Sequence, residues 1–191
     1  MASDLRPGPD APPADELAGA EAALGVLAQV LHHISSDELT NPTPCSEFDV
    51  AQLTEHLLNS IRILGGAAGA VFADSDTAEP PERQVIAAAR PALDAWHGRG
   101  LQGTVAIGPN ELPATMAVGI LALEFLVHAW DYATATGRTV QVAEPLAEYV
   151  FGLAQAIITP AGRVRAGFDD PVAAPDSASS LQKLIAFTGR S

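Results

Sequence analysis

Hydrophobic residues recur every three or four positions in several stretches of the chain, which is the spacing of one face of an α-helix. The first stripe covers residues 17–34. The second follows Asp49, a good N-cap residue with Gln52 three positions later, and it ends near the glycine pair at 65–66. We predict one helix for each stripe.

Further along the chain, a third helix is predicted from about Gln84 to Trp96, with Pro91 expected to kink or restart it. Glycines, prolines and a short alternating pattern within residues 101–113 indicate an extended loop or a small hairpin. A long helix is then predicted from about Ala114 to Thr136, and Gly137 is its expected C-terminal glycine.

The C-terminal part predicts two shorter elements, a helix opened by Pro145 and reaching about Ile158, and a last short helix within residues 181–187. Four long helices with connections of moderate length can best bury their apolar faces by packing around a common axis. We therefore predict an all-α fold, a four-helix bundle with short C-terminal additions and a possible small hairpin before the fourth helix. Residues 1–13 are expected to be a flexible lead-in and residues 14–190 a single domain.

Composition narrows the classes of function. The net charge is −13 and only 10 residues are Lys or Arg, which argues against nucleic acid and anionic membranes as partners. A single cysteine excludes an internal disulfide. The N-terminus lacks the pattern of an export signal. The apolar run from Met116 to Leu123 is too short to span a bilayer. These features predict a cytoplasmic protein whose partners are small molecules, with a homodimer possible.

The candidate chemistry lies in the apolar fourth helix, where Glu124 and His128 are four residues apart and therefore on one face. A buried carboxylate is costly unless it is paired or bound to a cation. Asp131 could hold a ring nitrogen of His128 or remain solvated near the helix end. The simpler alternative is that Glu124 and His128 pair only with each other or with an arginine of another helix.

A second histidine supplies a possible third metal ligand. His56 lies on the flank of the apolar face of the second helix, where it can point toward a neighbouring helix. Two histidines and one carboxylate would leave an open position on Zn²⁺, Fe²⁺ or Ni²⁺, which is typical of catalytic rather than structural sites.

Cys45 is a further candidate because it lies just ahead of a predicted helix N-terminus, where a thiolate would be stabilised. Its alternative role is that of a small buried hydrophobic residue in the turn before the helix.

Two segments resemble a known family. The first is TPCSEFDV at residues 43–50, followed by Leu53 and His56, and the second is EFLVHAWD at residues 124–131, followed by ATGR at 135–138. Both are similar to motifs of actinobacterial DinB-like proteins, in particular the metal-binding domain of mycothiol-dependent maleylpyruvate isomerase. The resemblance covers roughly residues 14–190, and Tyr132 stands where the family more often has leucine.

The resemblance implies a DinB-like bundle in which His56, Glu124 and His128 bind a divalent metal, most simply Zn²⁺. It also implies a mycothiol-dependent S-transferase or isomerase acting on a small electrophilic or unsaturated substrate. The full isomerase has a second, C-terminal domain beyond the length of this sequence, so we expect a single-domain member, and the resemblance does not extend to maleylpyruvate isomerisation itself. A non-catalytic binding protein, such as a resistance or accessory protein, and a metal-dependent hydrolase are the alternatives.

Overall fold

The fold was analysed in a computed structural model that describes residues 11–45, 47–74, 76–163 and 167–191. Its helices are α1 (Glu16–Leu31), α2 (Val50–Gly66), α3 (Pro81–Arg99), α4 (Ala114–Ala135), α5 (Glu144–Ile157) and α6 (Ser180–Phe187). A 3₁₀ turn at Ser36–Glu38 precedes α2. The predicted hairpin before α4 is present, with β1 (Thr104–Ile107) antiparallel to β2 (Asn110–Pro113).

The four long helices form the predicted bundle. α1 packs on α3 and α4, and α2 packs on the same two helices, so the helices follow one another around the bundle in the order α1, α3, α2, α4. α5 packs against α4, and α6 packs against α5. The predicted all-helical fold with C-terminal additions is therefore confirmed for the described residues.

Helix α2 begins where its capping residues predict. The Asp49 carboxylate accepts a hydrogen bond from the Gln52 backbone N–H at 2.8 Å, and the Gln52 side chain accepts one from the Asp49 backbone N–H at 3.0 Å. These reciprocal bonds satisfy two donors that a helix start leaves unpaired. They fix the register of α2 and hence the direction in which His56 points.

Helix α3 is longer than predicted and does not restart at Pro91. It begins at Pro81, a residue suited to a first turn, and continues through Pro91 to Arg99. Pro91 has no N–H to donate. Burial of Val85, Ala89 and Trp96 against the bundle holds the helix together despite this lost bond.

Helix α4 is the most buried element because it is apolar nearly all round, as expected of a helix inside a core. By length and composition alone, α4 is long and apolar enough to cross a membrane. However, 72% of its most apolar 18-residue stretch is buried within the protein. Its polar members, Glu124, His128 and Asp131, therefore lie inside or at the edge of the packed bundle.

The N-terminal lead-in lies mostly outside the described residues, which begin at residue 11. Residues 11–13 form no helix or strand. The boundaries of 1–13 and 14–190 remain predictions.

Candidate metal centre

Three side chains from two neighbouring helices converge between α2 and α4. His56 comes from α2, while Glu124 and His128 come from successive turns of α4. Glu124 Oε2 is 3.4 Å from His56 Nε2 and 3.5 Å from His128 Nε2. One ligand atom from each of the three residues lies within 4.8 Å of the others. The structure thus brings together the three residues that the sequence singled out.

The Glu124 carboxylate supplies a direct test of whether a metal suits this cluster. Oε2 of Glu124 is buried and has no hydrogen-bond partner among the described residues. Its distances to the two imidazole nitrogens exceed the roughly 2.7–3.2 Å of a good hydrogen bond. Two ligand atoms about 2.1 Å from a tetrahedral ion are about 3.4 Å apart. The donor set and its spacing therefore fit a divalent ion better than they fit a closed network of hydrogen bonds.

The three side chains of the cluster differ in their exposure to solvent. The His128 side chain is 6% exposed and that of Glu124 17%, whereas that of His56 is 36% exposed. A pocket of about 260 Å³ lies over the three residues. Its other lining residues include Cys45, Phe48, Gly167, Phe168 and Arg190. A small ligand could therefore reach the cluster from the His56 side.

The protonation of the two α4 residues depends on their mutual contact. Burial by itself raises the pKa of Glu124, but the His128 and His56 imidazoles outweigh it and hold that pKa well below its usual range. Burial lowers the pKa of His128, but the hydrogen bond to Asp131 and the Glu124 carboxylate raise it to about 9. Since a metal ligand must be a neutral imidazole, metal binding at this site would release a proton.

Asp131 contacts His128 in the manner expected of an orienting residue. His128 Nδ1 donates to Asp131 Oδ2 at 2.9 Å, and Asp131 is fully buried. With that proton on Nδ1, the lone pair of Nε2 in the neutral ring faces Glu124 and His56. Arg190 binds both oxygens of Asp131, and among the described residues no arginine is bonded to Glu124 Oε2.

The segment before α2 folds as a tight turn that positions an aromatic ring. Thr43 donates from its backbone N–H and from its hydroxyl to the Phe48 carbonyl, at 3.1 and 2.8 Å, and Phe48 N–H donates to the Cys45 carbonyl at 2.8 Å. The Phe48 ring stacks on His56, with centroids 5.1 Å apart. His56 is thus held between Phe48 and His128, whose ring centroid is 5.4 Å away.

Cys45 lines the pocket, but its surroundings do not favour a thiolate. Burial raises the pKa of its thiol, and the nearby carboxylates of Asp131 and Glu124 oppose the lowering effect of Arg190. The N-cap of α2 is Asp49, so the helix N-terminus is satisfied by a carboxylate. The direction of this shift is opposite to the one expected from the sequence, and a catalytic role for Cys45 remains a prediction.

Tyr132 takes part in packing between α2 and α4. Its side chain is fully buried, and its hydroxyl lies 2.9 Å from the Thr54 hydroxyl. It does not line the pocket. The tyrosine at this position therefore alters the helix contact behind the cluster.

Part of the chain is similar to a known protein family. Residues 20–106 match the model of the mycothiol maleylpyruvate isomerase N-terminal domain. This region of the chain is therefore similar to that domain family. The matched region runs from α1 to β1 and includes His56, whereas Glu124 and His128 lie beyond it.

Two proteins of Mycobacterium tuberculosis are similar over almost the whole chain. They are the uncharacterized proteins MT0763, from strain CDC 1551 / Oshkosh, and Rv0738, from strain ATCC 25618 / H37Rv. Each is 29% identical over 184 residues, which cover 92% of this chain and 98% of the relative. No solved structure gives a significant match.

Sequence reasoning missed how the C-terminal segment contributes to the pocket. Phe168 and Arg190 were not among the residues singled out from the sequence, yet both line the pocket over the cluster. The available signal was Asp131, an acidic residue in an apolar helix that would need a positive partner. With only 10 basic residues in the chain, the candidates for that partner were few.

Proposed function

We propose that this protein binds a divalent metal, most simply Zn²⁺, through His56, Glu124 and His128, and that it is a thiol S-transferase or isomerase. The thiol would be of the mycothiol type, and the second substrate a small electrophilic or unsaturated molecule. The observation that carries the proposal is the buried, unpartnered Glu124 Oε2, which lies between two imidazole nitrogens at the floor of a pocket.

The side chains around the cluster suit this chemistry. A divalent ion held there would lower the pKa of a thiol ligand, so that a strong nucleophile is available at neutral pH. Asp131 keeps the Nδ1 proton on His128 and leaves Nε2 free to bind. Phe48 and Phe168 add apolar wall to the pocket in which the sulfur would lie.

Two outcomes of the thiol attack are compatible with such a pocket. In a transferase, the sulfur forms a bond to the electrophilic carbon, the leaving group departs with its electron pair, and the thiol proton goes to solvent. In an isomerase, the sulfur adds to one carbon of a double bond and the other carbon takes the electron pair. Rotation and loss of the thiol then restore the double bond, so the thiol is unchanged overall.

The cellular setting belongs to the same proposal. A low-molecular-weight thiol as partner is supported by the family matched over residues 20–106. Because such thiols are kept reduced inside the cell, we propose a cytoplasmic location for the protein.

The experiment is to incubate metal-loaded protein with mycothiol and a set of small electrophiles and unsaturated acids, and to follow the products by mass spectrometry. We expect a conjugate or a rearranged acid to form faster than without protein. Glu124→Gln should lose this acceleration, whereas His97→Ala, which changes an exposed histidine paired with Glu21, should keep it. A rate equal to the uncatalysed one with every substrate would contradict the proposal.

The same experiment separates the alternatives. A hydrolysed product formed without thiol consumption would indicate a metal-dependent hydrolase. A tightly held, unchanged ligand would indicate a binding protein without turnover. Either result would replace the transferase or isomerase assignment.

A further inference from the structure

Arg190 forms a buried, bidentate ion pair with Asp131, the residue hydrogen-bonded to His128 of the cluster. Its Nε donates to Asp131 Oδ1 at 2.7 Å and its Nη2 donates to Asp131 Oδ2 at 2.9 Å. Asp131 is fully buried and Arg190 is 8% exposed. Such paired, charge-assisted bonds fix both the position and the plane of the carboxylate.

The same carboxylate contacts the candidate ligand His128. Oδ2 of Asp131 accepts from Arg190 Nη2 and from His128 Nδ1, the latter at 2.9 Å. Oδ1 is bonded to Arg190. A continuous path of hydrogen bonds therefore runs from Arg190 through Asp131 to His128.

We propose that Arg190 is a positioning residue for the metal centre, which sets the orientation of His128 by holding the Asp131 carboxylate. This inference rests on the metal site proposed above. Without the guanidinium, Asp131 would keep only the hydrogen bond from His128 and would be free to rotate about its side-chain bonds. A less ordered carboxylate would hold the imidazole less firmly, and the partners behind metal-binding histidines commonly set metal affinity.

The C-terminal segment carries Arg190 to this position by a glycine turn. Gly189 has φ of +85°, and the Arg190 backbone N–H donates to the Ile185 carbonyl at the end of α6. Gly189 also packs closely on Asp169, which leaves no room for a larger residue. The turn thereby directs the Arg190 side chain inward toward α4.

Arg163 offers a matched control within the same segment. It is also buried, and its Nη1 donates to the carbonyls of Asp169 at 3.0 Å and Phe187 at 2.7 Å. It therefore anchors the same stretch of chain that carries Arg190. Its side chain has no bond to Asp131 among those found for the described residues.

The test measures Zn²⁺ affinity by competition with a chromogenic chelator, and the electronic spectrum of bound Co²⁺, for wild type, Arg190→Gln, Arg190→Lys and Arg163→Gln. We expect Arg190→Gln to weaken Zn²⁺ binding by about 10–100-fold and to change the Co²⁺ spectrum. Arg190→Lys keeps the charge but lacks the fork of donors, so it should also weaken binding, to a smaller degree. Arg163→Gln should lower the thermal stability and leave affinity and spectrum unchanged.

Wild-type affinity and spectrum in the Arg190 variants would overturn the inference while leaving the metal site intact. Equal losses in Arg163→Gln and Arg190→Gln would overturn it as well, because general support of the C-terminal segment would then explain the effect. If Arg190→Gln does not fold, Arg190→Lys decides the question on the same two measurements. Absence of Zn²⁺ and Co²⁺ binding by wild type would overturn the proposed metal site and this inference together.

Discussion

The turn at Gly189 is expected to be unusually intolerant of a side chain. A Cβ added there would lie 2.6 Å from the Asp169 Cβ and 2.9 Å from the carbonyl carbon and oxygen of Asp169. The backbone at Gly189 also has φ of +85°. Gly189→Ala therefore combines the cost of a left-handed backbone with a clash against backbone atoms that cannot swing aside.

Gly137 provides the control because it forms the same turn at the end of α4. Its φ is +65°, and the next residue, Arg138, donates to the Ala133 carbonyl five positions earlier, as Arg190 does to Ile185. A Cβ at Gly137 would meet nothing within 4 Å. Gly137→Ala thus carries the backbone cost alone, while Gly189→Ala carries the clash in addition.

The magnitudes follow from these two contributions. The left-handed conformation costs an alanine roughly 1–2 kcal/mol. Overpacking adds about 1–3 kcal/mol, so Gly189→Ala should lose about 2–5 kcal/mol of unfolding free energy. For a chain of this size each kcal/mol corresponds to about 2–4 °C in Tm.

The assay is urea and thermal unfolding of both variants beside wild type. The account predicts that Gly189→Ala is the less stable of the two and, because Arg190 is displaced, that it also binds Zn²⁺ more weakly. Equal losses of stability in Gly137→Ala and Gly189→Ala would refute the packing argument.

Three further outcomes are expected. Tyr132→Phe should cost about 0.5–1.5 kcal/mol in urea unfolding, because the Thr54 hydroxyl still donates to the Val50 carbonyl and loses only one partner; a larger loss would contradict this. The hydrogen bond from Arg138 lowers the pKa of Glu38 to about 2, so this pair should stabilise the fold above about pH 4.3 and lose its effect as the pH falls toward 2. Arg138→Gln should therefore flatten that part of the stability profile, and an unchanged profile would contradict the assignment. Cys45, whose pKa is raised, should react with iodoacetamide at pH 7 more slowly than a free cysteine, and faster reaction would contradict the burial argument.

The parts of the fold that sequence predicted well are those with strong local signals. Asp49 and Gln52 fixed the start of α2, and Gly137 marked the end of α4, because capping bonds and a left-handed glycine involve only neighbours in the chain. A restart of α3 at Pro91 was a wrong expectation, since the packing of α3 against the bundle outweighs one missing hydrogen bond. Local rules could not anticipate that compensation.

The candidate site was predictable to a similar extent. Glu124 and His128 stood out as polar residues four apart in an apolar helix, and the structure brings His56 beside them. The contribution of Arg190 was not predictable from spacing, because it is 59 residues from Asp131 in sequence and reaches it only through the packing of α5 and α6. Contacts of this kind depend on the whole fold and carry no local pattern.

The most direct test of the metal centre is Zn²⁺ binding by calorimetric titration of chelator-treated wild type, His128→Ala and His97→Ala. We expect one tightly bound ion per chain for wild type and for His97→Ala, and a loss of that binding for the folded His128→Ala variant. Wild type that binds no ion, or His128→Ala that binds it as tightly as wild type, would contradict the assignment of His56, Glu124 and His128 as a metal centre.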